Sequence, residues 1–434
     1  MTSTTQPSPR QSEDSTAEPG IRTIATSSLI GTTVEWFDFF AYTTAAALVF
    51  NALFFPQFDP LVGTILSFGG IAVGYIGRPL GSIVFGHFGD RIGRKTMLVS
   101  SLVTMGAATF AIGALPTYES IGVAAPLILM TLRFIQGFAL GGEWGGAVLI
   151  VAEHAPAERR GLYASIPQIG LASGLSLATL AYLGLNQLTD EAFSSWGWRL
   201  PFLASAVLVL IGLVIRLKIS ETPAFREMQA EGREARVPIV ETLRTHSLHV
   251  VLAALSFAVV GAVFYMLFTF SLTYGTEYIG HSRGEMLTIA TLCSVVALAG
   301  LPLAGALADR VSARTVFCIG SVVVGVTAFP AFWLIDSGSL VLAFLGYLLA
   351  TVGFCATYGT LGILYASAFD VHVRYTGMSL ALGLGTLAGS AFVPMIYLEL
   401  LDMFGGSWAI ALYMVVAAVL SLGVASRLRQ DAQG

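Results

Sequence analysis

Twelve apolar stretches dominate this chain, each close to the roughly 20 residues that an α-helix needs to cross hydrocarbon. They run over 25–50, 62–86, 96–115, 123–152, 162–185, 197–217, 248–274, 287–307, 315–335, 340–366, 377–399 and 408–426. Inside lipid the backbone must satisfy its own hydrogen bonds, so such stretches fold as helices. The expected class is an all-α membrane protein with twelve transmembrane helices. Composition agrees: apolar types make up 55% and charged types 11%, where soluble domains carry about 25% charged residues. A formal net charge of −4 offers no bulk attraction to nucleic acid. The opening residues 1–24 are mostly polar and hold no signal-peptide core, and they read as a disordered tail.

The bases orient the chain. Arg78 and Arg133 lie inside segments, and Arg199 and Arg283 fall at loops of one parity. The remaining Lys and Arg residues gather in the tail, the C-terminus, the loops of opposite parity and a charged stretch at 218–247. Cytoplasmic loops carry the excess of Lys and Arg. Both termini and a 218–247 linker are therefore expected in the cytoplasm, with a tail at 427–434. The linker separates 25–217 from 248–426. These two blocks echo each other: GHFGDRIGRKT from Gly86 matches GALADRVSART from Gly305, and ERRG ending at Gly161 matches VRYTG ending at Gly377. Each copy lies six segments from its partner. Two six-helix bundles around a midplane site are a common secondary-transporter plan.

A charge at mid-bilayer costs about 2.5–3.5 kcal/mol on insertion scales. Glu35, Asp38, Arg78, Arg133 and Glu143 carry that cost, all in the first block. At a rise of about 1.5 Å per residue, Asp38 and Arg133 come to similar depth, and Arg78 and Glu143 lie nearer the cytoplasm. The spacing predicts a central tier in which Glu35 or Asp38 pairs with Arg133, and a lower structural or gating tier of Arg78 and Glu143. Glu35, Asp38 and Tyr42 form one helical stripe, and Arg133, Gln136 and Glu143 another. The central pair reads either as a proton-coupling site or as an ion pair that serves assembly alone. Gly137, Gly141 and Gly145 form a small-residue packing run.

The loop holding Gly86, Asp90, Arg91, Gly93, Arg94 and Lys95 fixes topology by charge. Its second copy at Asp309 and Arg310 suggests more, an inter-half latch. Asp90 is placed to cap a helix of the other half, and Arg94 to pair with Glu153. Ala313 stands where Arg94 would recur, so the second latch is expected to be weaker.

These motifs resemble the major facilitator superfamily. RFIQGFALGGEWGG, from Arg133, is similar to its fourth-helix motif. With VEWFDFFAY, SSWGWRLPF, SETPAF and VRYTG, it resembles the metabolite:proton symporters, which include shikimate, 2-oxoglutarate, citrate and proline/betaine carriers, and the shikimate type most. The resemblance implies proton-coupled uptake of a small carboxylate or zwitterion across a bacterial inner membrane. It implies a coupling role for Arg133 with the acids Glu35 and Asp38, and gating by Asp90, Arg91 and Arg94. Substrate contacts are expected from Arg133, Tyr42, Gln136 and Gln168, and from Tyr265, Thr269, Tyr358 and Tyr365 of the second block. An osmolyte carrier is the alternative, though the C-terminus lacks coiled-coil heptads.

A proton-driven drug exporter shares this plan but needs no central arginine. An enzyme or haem protein is disfavoured, because His87, His154, His246, His249, His281 and His372 fall in loops or at segment ends. No cofactor, metal or disulfide is expected, Cys293, Cys318 and Cys355 being far apart in apolar segments. The expected partners are the solute, the proton and the bilayer, around a monomer.

Overall fold

The computed structural model describes residues 20–58, 60–185, 188–217 and 238–428, with Glu227 and Gln229 alone between them. The tail before residue 20, most of the 218–247 linker and residues 429–434 lie outside the described residues. Among the described residues there is no strand. The first half holds α1 (Ile21–Ala45), α2 (Pro60–Ile92), α3 (Arg94–Ala114), α4 (Ala124–His154), α5 (Ile169–Leu185) and α6 (Leu200–Leu217). The second half holds α7 (Ser247–Tyr265), α8 (Arg283–Arg310), α9 (Ala313–Ile335), α10 (Leu340–Ala366), α11 (Arg374–Gly389) and α12 (Trp408–Ala425). Among the described residues ten helical stretches are long and apolar enough to cross a membrane, or eleven if the bent pair Ile21–Ala45 and Leu48–Phe54 is one span.

Local chemistry sets the breaks. Gly93 has φ 113°, a conformation that side chains disfavour, and it splits α2 from α3. Ser282 and Glu285 form a reciprocal capping box at the start of α8. The segment expected at 377–399 is broken at Ser390, after which a second helix runs Val393–Phe404. Wider π turns extend α1 over Ala46–Phe50 and α7 over Met266–Phe270, at corresponding places in the two halves.

Packing repeats six helices on. In the first half α1 packs on α5, α2 on α4, α3 on α4 and α3 on α6; in the second α7 packs on α11, α8 on α10, α9 on α10 and α9 on α12. The halves meet through α2 with α11 and α5 with α8, again a pair related by six. Outward faces expose Leu127, Val326, Trp333 and Val416, an apolar coat suited to lipid. The buried interior is unusual in holding Glu35, Asp38, Arg78, Arg133, Glu143 and Arg216.

Candidate functional site

A cavity lies where the halves meet. α1, α2, α4 and α5 line it from one side, and α7, α10 and α11 from the other. Among the described residues two acidic or basic side chains face it, Glu35 and Arg78. The Arg78 guanidinium stacks 4.7 Å from the Tyr75 ring centroid, and one Glu35 carboxylate oxygen is buried without a hydrogen-bond partner among the described residues. The second half supplies neutral polar groups, Tyr358, Thr386 and Ser390, with Phe257, Phe264 and Phe354. Free space amounts to about 40 Å³ for water centres, room for about three waters and not for a metabolite. On the side away from Asp90, the Tyr75 and Tyr265 hydroxyls bond across the halves at 2.8 Å, and the Trp36 and Phe264 rings lie 5.5 Å apart.

Arg78 was expected to be structural or part of a lower gate; it instead points into the central cavity. Counting residues along a helix gives depth, not direction around its axis, and direction decides this case. Its expected companion Glu143 pairs with Arg216 of α6, and also accepts a hydrogen bond from Ser101 at 2.7 Å. Arg216 sits at the end of a span, where a base reads as a topology marker. The clue was that a buried Glu143 requires a nearby cation.

Arg133 departs from expectation too. Among the described residues no ion pair joins it to Asp38 or Glu35. Its guanidinium lies 3.8 Å from the Tyr42 ring centroid, donates to the Gly70 carbonyl at 3.2 Å and donates to Gln136 Oε1 at 2.8 Å. Gln136 Nε2 donates to Thr109 Oγ1 at 2.6 Å, and Thr109 donates to Asp38 Oδ2 at 2.7 Å. Acid and base are thus joined through two neutral side chains. Arg133 lines a small adjoining void shared with Arg78 and Tyr75 rather than the main cavity. Thr109 carries no charge, and nothing in its spacing marked it.

The other expected contacts divide. Tyr358 lines the cavity. Gln168 accepts from the cavity-lining Trp144 at 2.8 Å. Tyr42 is engaged with Arg133 and donates to Ser67 O. Tyr365 donates to Ala253 O at 2.5 Å, Tyr265 bridges to Tyr75, and Thr269 is half-buried outside the cavity lining. Thr386 and Ser390 escaped notice, although they sit four apart on one face of the eleventh segment.

At the end of the bundle carrying Asp90, two motif pairs cross. Asp90 accepts from the backbone N–H groups of Tyr375 and Thr376 at 3.3 and 2.9 Å, in the first turn of α11. Asp309 accepts from those of Gly161 and Leu162 at 2.6 and 2.9 Å. Each acid therefore caps a helix of the opposite half, and each aspartate motif meets the other half's VRYTG or ERRG stretch. Arg94 pairs with Glu153, which also receives Arg374 of the second half at 3.4 Å. Among the described residues the second copy shows no such ion pair, as Ala313 requires, yet one of its capping bonds is shorter (2.6 against 3.3 Å) and the other equal at 2.9 Å. Lys95 reaches the Leu217 carbonyl at 2.9 Å, while Arg91 and Arg310 are exposed.

Two duplicated helical halves, closed at one end by crossed caps around a cavity with one acid and one base, define a membrane transporter. The chain belongs to the major facilitator superfamily: the profile of that family matches residues 28–394. It is 40% identical over 405 residues to the inner membrane metabolite transport protein YhjE of Escherichia coli, covering 92% of each chain. It is 37% identical over 418 residues to the shikimate transporter of the same organism, covering 95% of each. The E. coli proline/betaine transporter is 31% identical, with 95% of this chain and 84% of that protein covered. Among solved structures, the proton:xylose symporter XylE bound to 6-bromo-6-deoxy-D-glucose superposes with a TM-score of 0.76 at 17% identity, covering 94% of each chain. That likeness carries the fold. The protein is a multi-pass transporter of the inner-membrane type.

Proposed function

We propose that this protein is a proton-coupled symporter that imports a small carboxylate or zwitterionic metabolite by alternating access. In this reading twelve spans form two six-helix bundles, residues 25–217 and 248–426. They are joined by a cytoplasmic linker over 218–247, and both termini are cytoplasmic, as the placement of Lys and Arg favours. The Asp90 end then faces the cytoplasm, and the structure corresponds to a state closed on that side.

The observation that carries the reading is the placement of Glu35 and Arg78 on one small cavity between the halves. A guanidinium fork matches a carboxylate in two hydrogen bonds. Arg78 takes the substrate carboxylate, and neutral groups such as Tyr358 and Thr386 read the rest of the solute. Once the carboxylate neutralises Arg78, Glu35 is left an uncompensated buried anion, and proton uptake removes that cost. Solute and proton thereby bind with mutual reinforcement, as linkage requires. The loaded site is near neutral and can be exchanged between the two faces. Each proton moving through 100 mV releases about 2.3 kcal/mol, enough for roughly fifty-fold accumulation of a neutral solute.

The relatives supply the candidate solutes by name: shikimate is a carboxylate, and proline and betaine are zwitterions. A zwitterion favours a second arrangement, with its carboxylate on Arg78 and its cationic nitrogen on Glu35. Proton binding would then fall to Asp38.

Reconstituted protein should accumulate one of labelled shikimate, proline or glycine betaine under an imposed pH gradient, and a protonophore should abolish the accumulation. Equilibration indifferent to the gradient, or outward movement of a cationic dye alone, would remove the symport reading.

A further inference from the structure

We infer that Thr109 is a positioning residue whose hydroxyl reverses its hydrogen bonds as Asp38 gains and loses a proton, so that Asp38 can titrate while Arg133 stays anchored. The inference starts from the polarity of the Arg133–Gln136–Thr109–Asp38 chain. Arg133 has donors only, so the Gln136 oxygen must face it and the Gln136 amide nitrogen must face Thr109. Thr109 therefore accepts from Gln136, at 2.6 Å. Its single proton has two acceptors in reach, Asp38 Oδ2 at 2.7 Å and the Met105 carbonyl one turn back on α3 at 3.0 Å. A hydroxyl donates to one of them at a time.

Those two choices match the two states of Asp38. While Asp38 is ionised it can only accept, and Thr109 donates to it. When a proton from solvent binds Oδ2, that oxygen becomes the donor to Thr109, whose second lone pair is free. The Thr109 proton then turns to Met105 O. Gln136 and Arg133 keep their bonds in both states, and no heavy atom has to move. A valine in place of Thr109 would serve neither state.

Two hydroxyls lie beside Asp38, those of Ser205 and Thr109, and among the described residues Thr109 is the one that links Asp38 onward to Gln136 and Arg133. Of the helices packed on α1, α3 presents Thr109 to Asp38, α6 presents Ser205, and α4 presents the charge of Arg133. Glu35 lies one turn away on α1 itself. Arg133 is held by Tyr42, Gly70 and Gln136, so it acts on Asp38 through space and along this chain rather than through an ion pair.

The inference rests on proton coupling in the proposed function, and its test is chosen to need no solute. Carboxylic C=O bands of purified protein are followed by difference infrared spectroscopy during a pH titration, and the Asp38 band is identified as the one lost in Asp38→Asn. Thr109 bonds Asp38 in both states, but the bond to the ionised form is charge-assisted and roughly twice as strong as the neutral one, so losing both disfavours the ionised form by a net of about 1 kcal/mol, which corresponds to about 0.7 pH unit. Thr109→Val should therefore move the midpoint of that band upward by roughly 0.7 unit and shift its frequency. Thr109→Ser, which keeps the hydroxyl, should restore both. If Thr109→Val is not obtained as folded protein, Thr109→Ala is read in the same way. A midpoint and frequency unchanged in whichever variant folds overturns the inference, as does the absence of any Asp38 band between pH 4 and 10. Neither result bears on whether a solute is carried.

Discussion

Asp90 of the first half accepts the backbone N–H of Thr376, in the second half, at 2.9 Å. That bond and its partner to Tyr375 exist only while the two halves touch at this end. Removing the charge weakens a charge-assisted cap on a helix N-terminus. Asp90→Asn should shift the protein toward the state open at the Asp90 end. A reporter cysteine at Ser379, which is fully buried beneath this closure, measures the shift in a background lacking Cys293, Cys318 and Cys355. Its alkylation should rise roughly ten-fold, as expected for about 1.4 kcal/mol of lost closure. Asp309→Asn should act similarly, and the double variant should multiply the two effects, because the latches share no hydrogen-bond partner. No increase in either single variant would show that closure does not depend on these caps.

Closure at the second latch also requires two glycines to pass at close range. A Cβ on Gly305 would meet the Gly161 carbonyl oxygen at 2.4 Å and Ser165 Oγ at 2.6 Å. Gly305→Ala should leave folding intact, since α8 favours alanine in its interior, but should prevent this end from closing. Uptake should fall at least ten-fold while the Ser379 reporter becomes accessible. Full uptake in Gly305→Ala would mean that the crossing has slack.

The contacts between the crossed motifs were legible in the sequence because duplication exposed them. A motif that recurs six helices away and contains an acid as well as bases asks for more than topology, and the echoes GDR/ADR and ERRG/VRYTG turn out to be partners crosswise. Ten or eleven of the twelve expected spans recur among the described residues, because lipid leaves the backbone one solution. The interior was harder. Arg216 looked like a terminal base, Arg78 could not be aimed from depth alone, Gln136 reads as a solute contact rather than as a link to Asp38, and Thr109 looks like an ordinary helical residue. Charges announce themselves by their cost in lipid, whereas the neutral groups that carry hydrogen bonds between them do not.

Glu143 and Arg216 provide a test of stability separate from transport. Both are almost fully buried, so removing one partner strands the other. Arg216→Met should cost about 3–5 kcal/mol, read as a lower midpoint of thermal unfolding in detergent. Adding Glu143→Gln should recover much of the loss, since it removes the orphaned charge while keeping an acceptor for Ser101. If the double variant is no more stable than the single one, the pair is not the reason these residues are tolerated in lipid.

The two interior arginines should separate kinetically. Arg78 faces the cavity with no hydrogen-bond acceptor fixed to it among the described residues, whereas Arg133 is held by Tyr42, Gly70 and Gln136 away from the main cavity. If Arg78 grips the solute carboxylate, Arg78→Lys replaces a planar fork with a point charge. It should raise the apparent KM for the transported solute by about ten-fold or more, with a smaller effect on maximal rate. Arg133→Lys removes the planar fork that donates to Gly70 and Gln136 together, and so perturbs the chain leading to Asp38. It should lower the maximal rate and the accumulation ratio at nearly unchanged KM, the pattern expected for an interaction that does not serve ground-state binding. Both variants are measured with whichever solute the reconstituted wild type accumulates. The reverse pattern, with affinity lost in Arg133→Lys and kept in Arg78→Lys, would move the binding role back to Arg133 and require that α2 and α4 rearrange to bring it into the cavity.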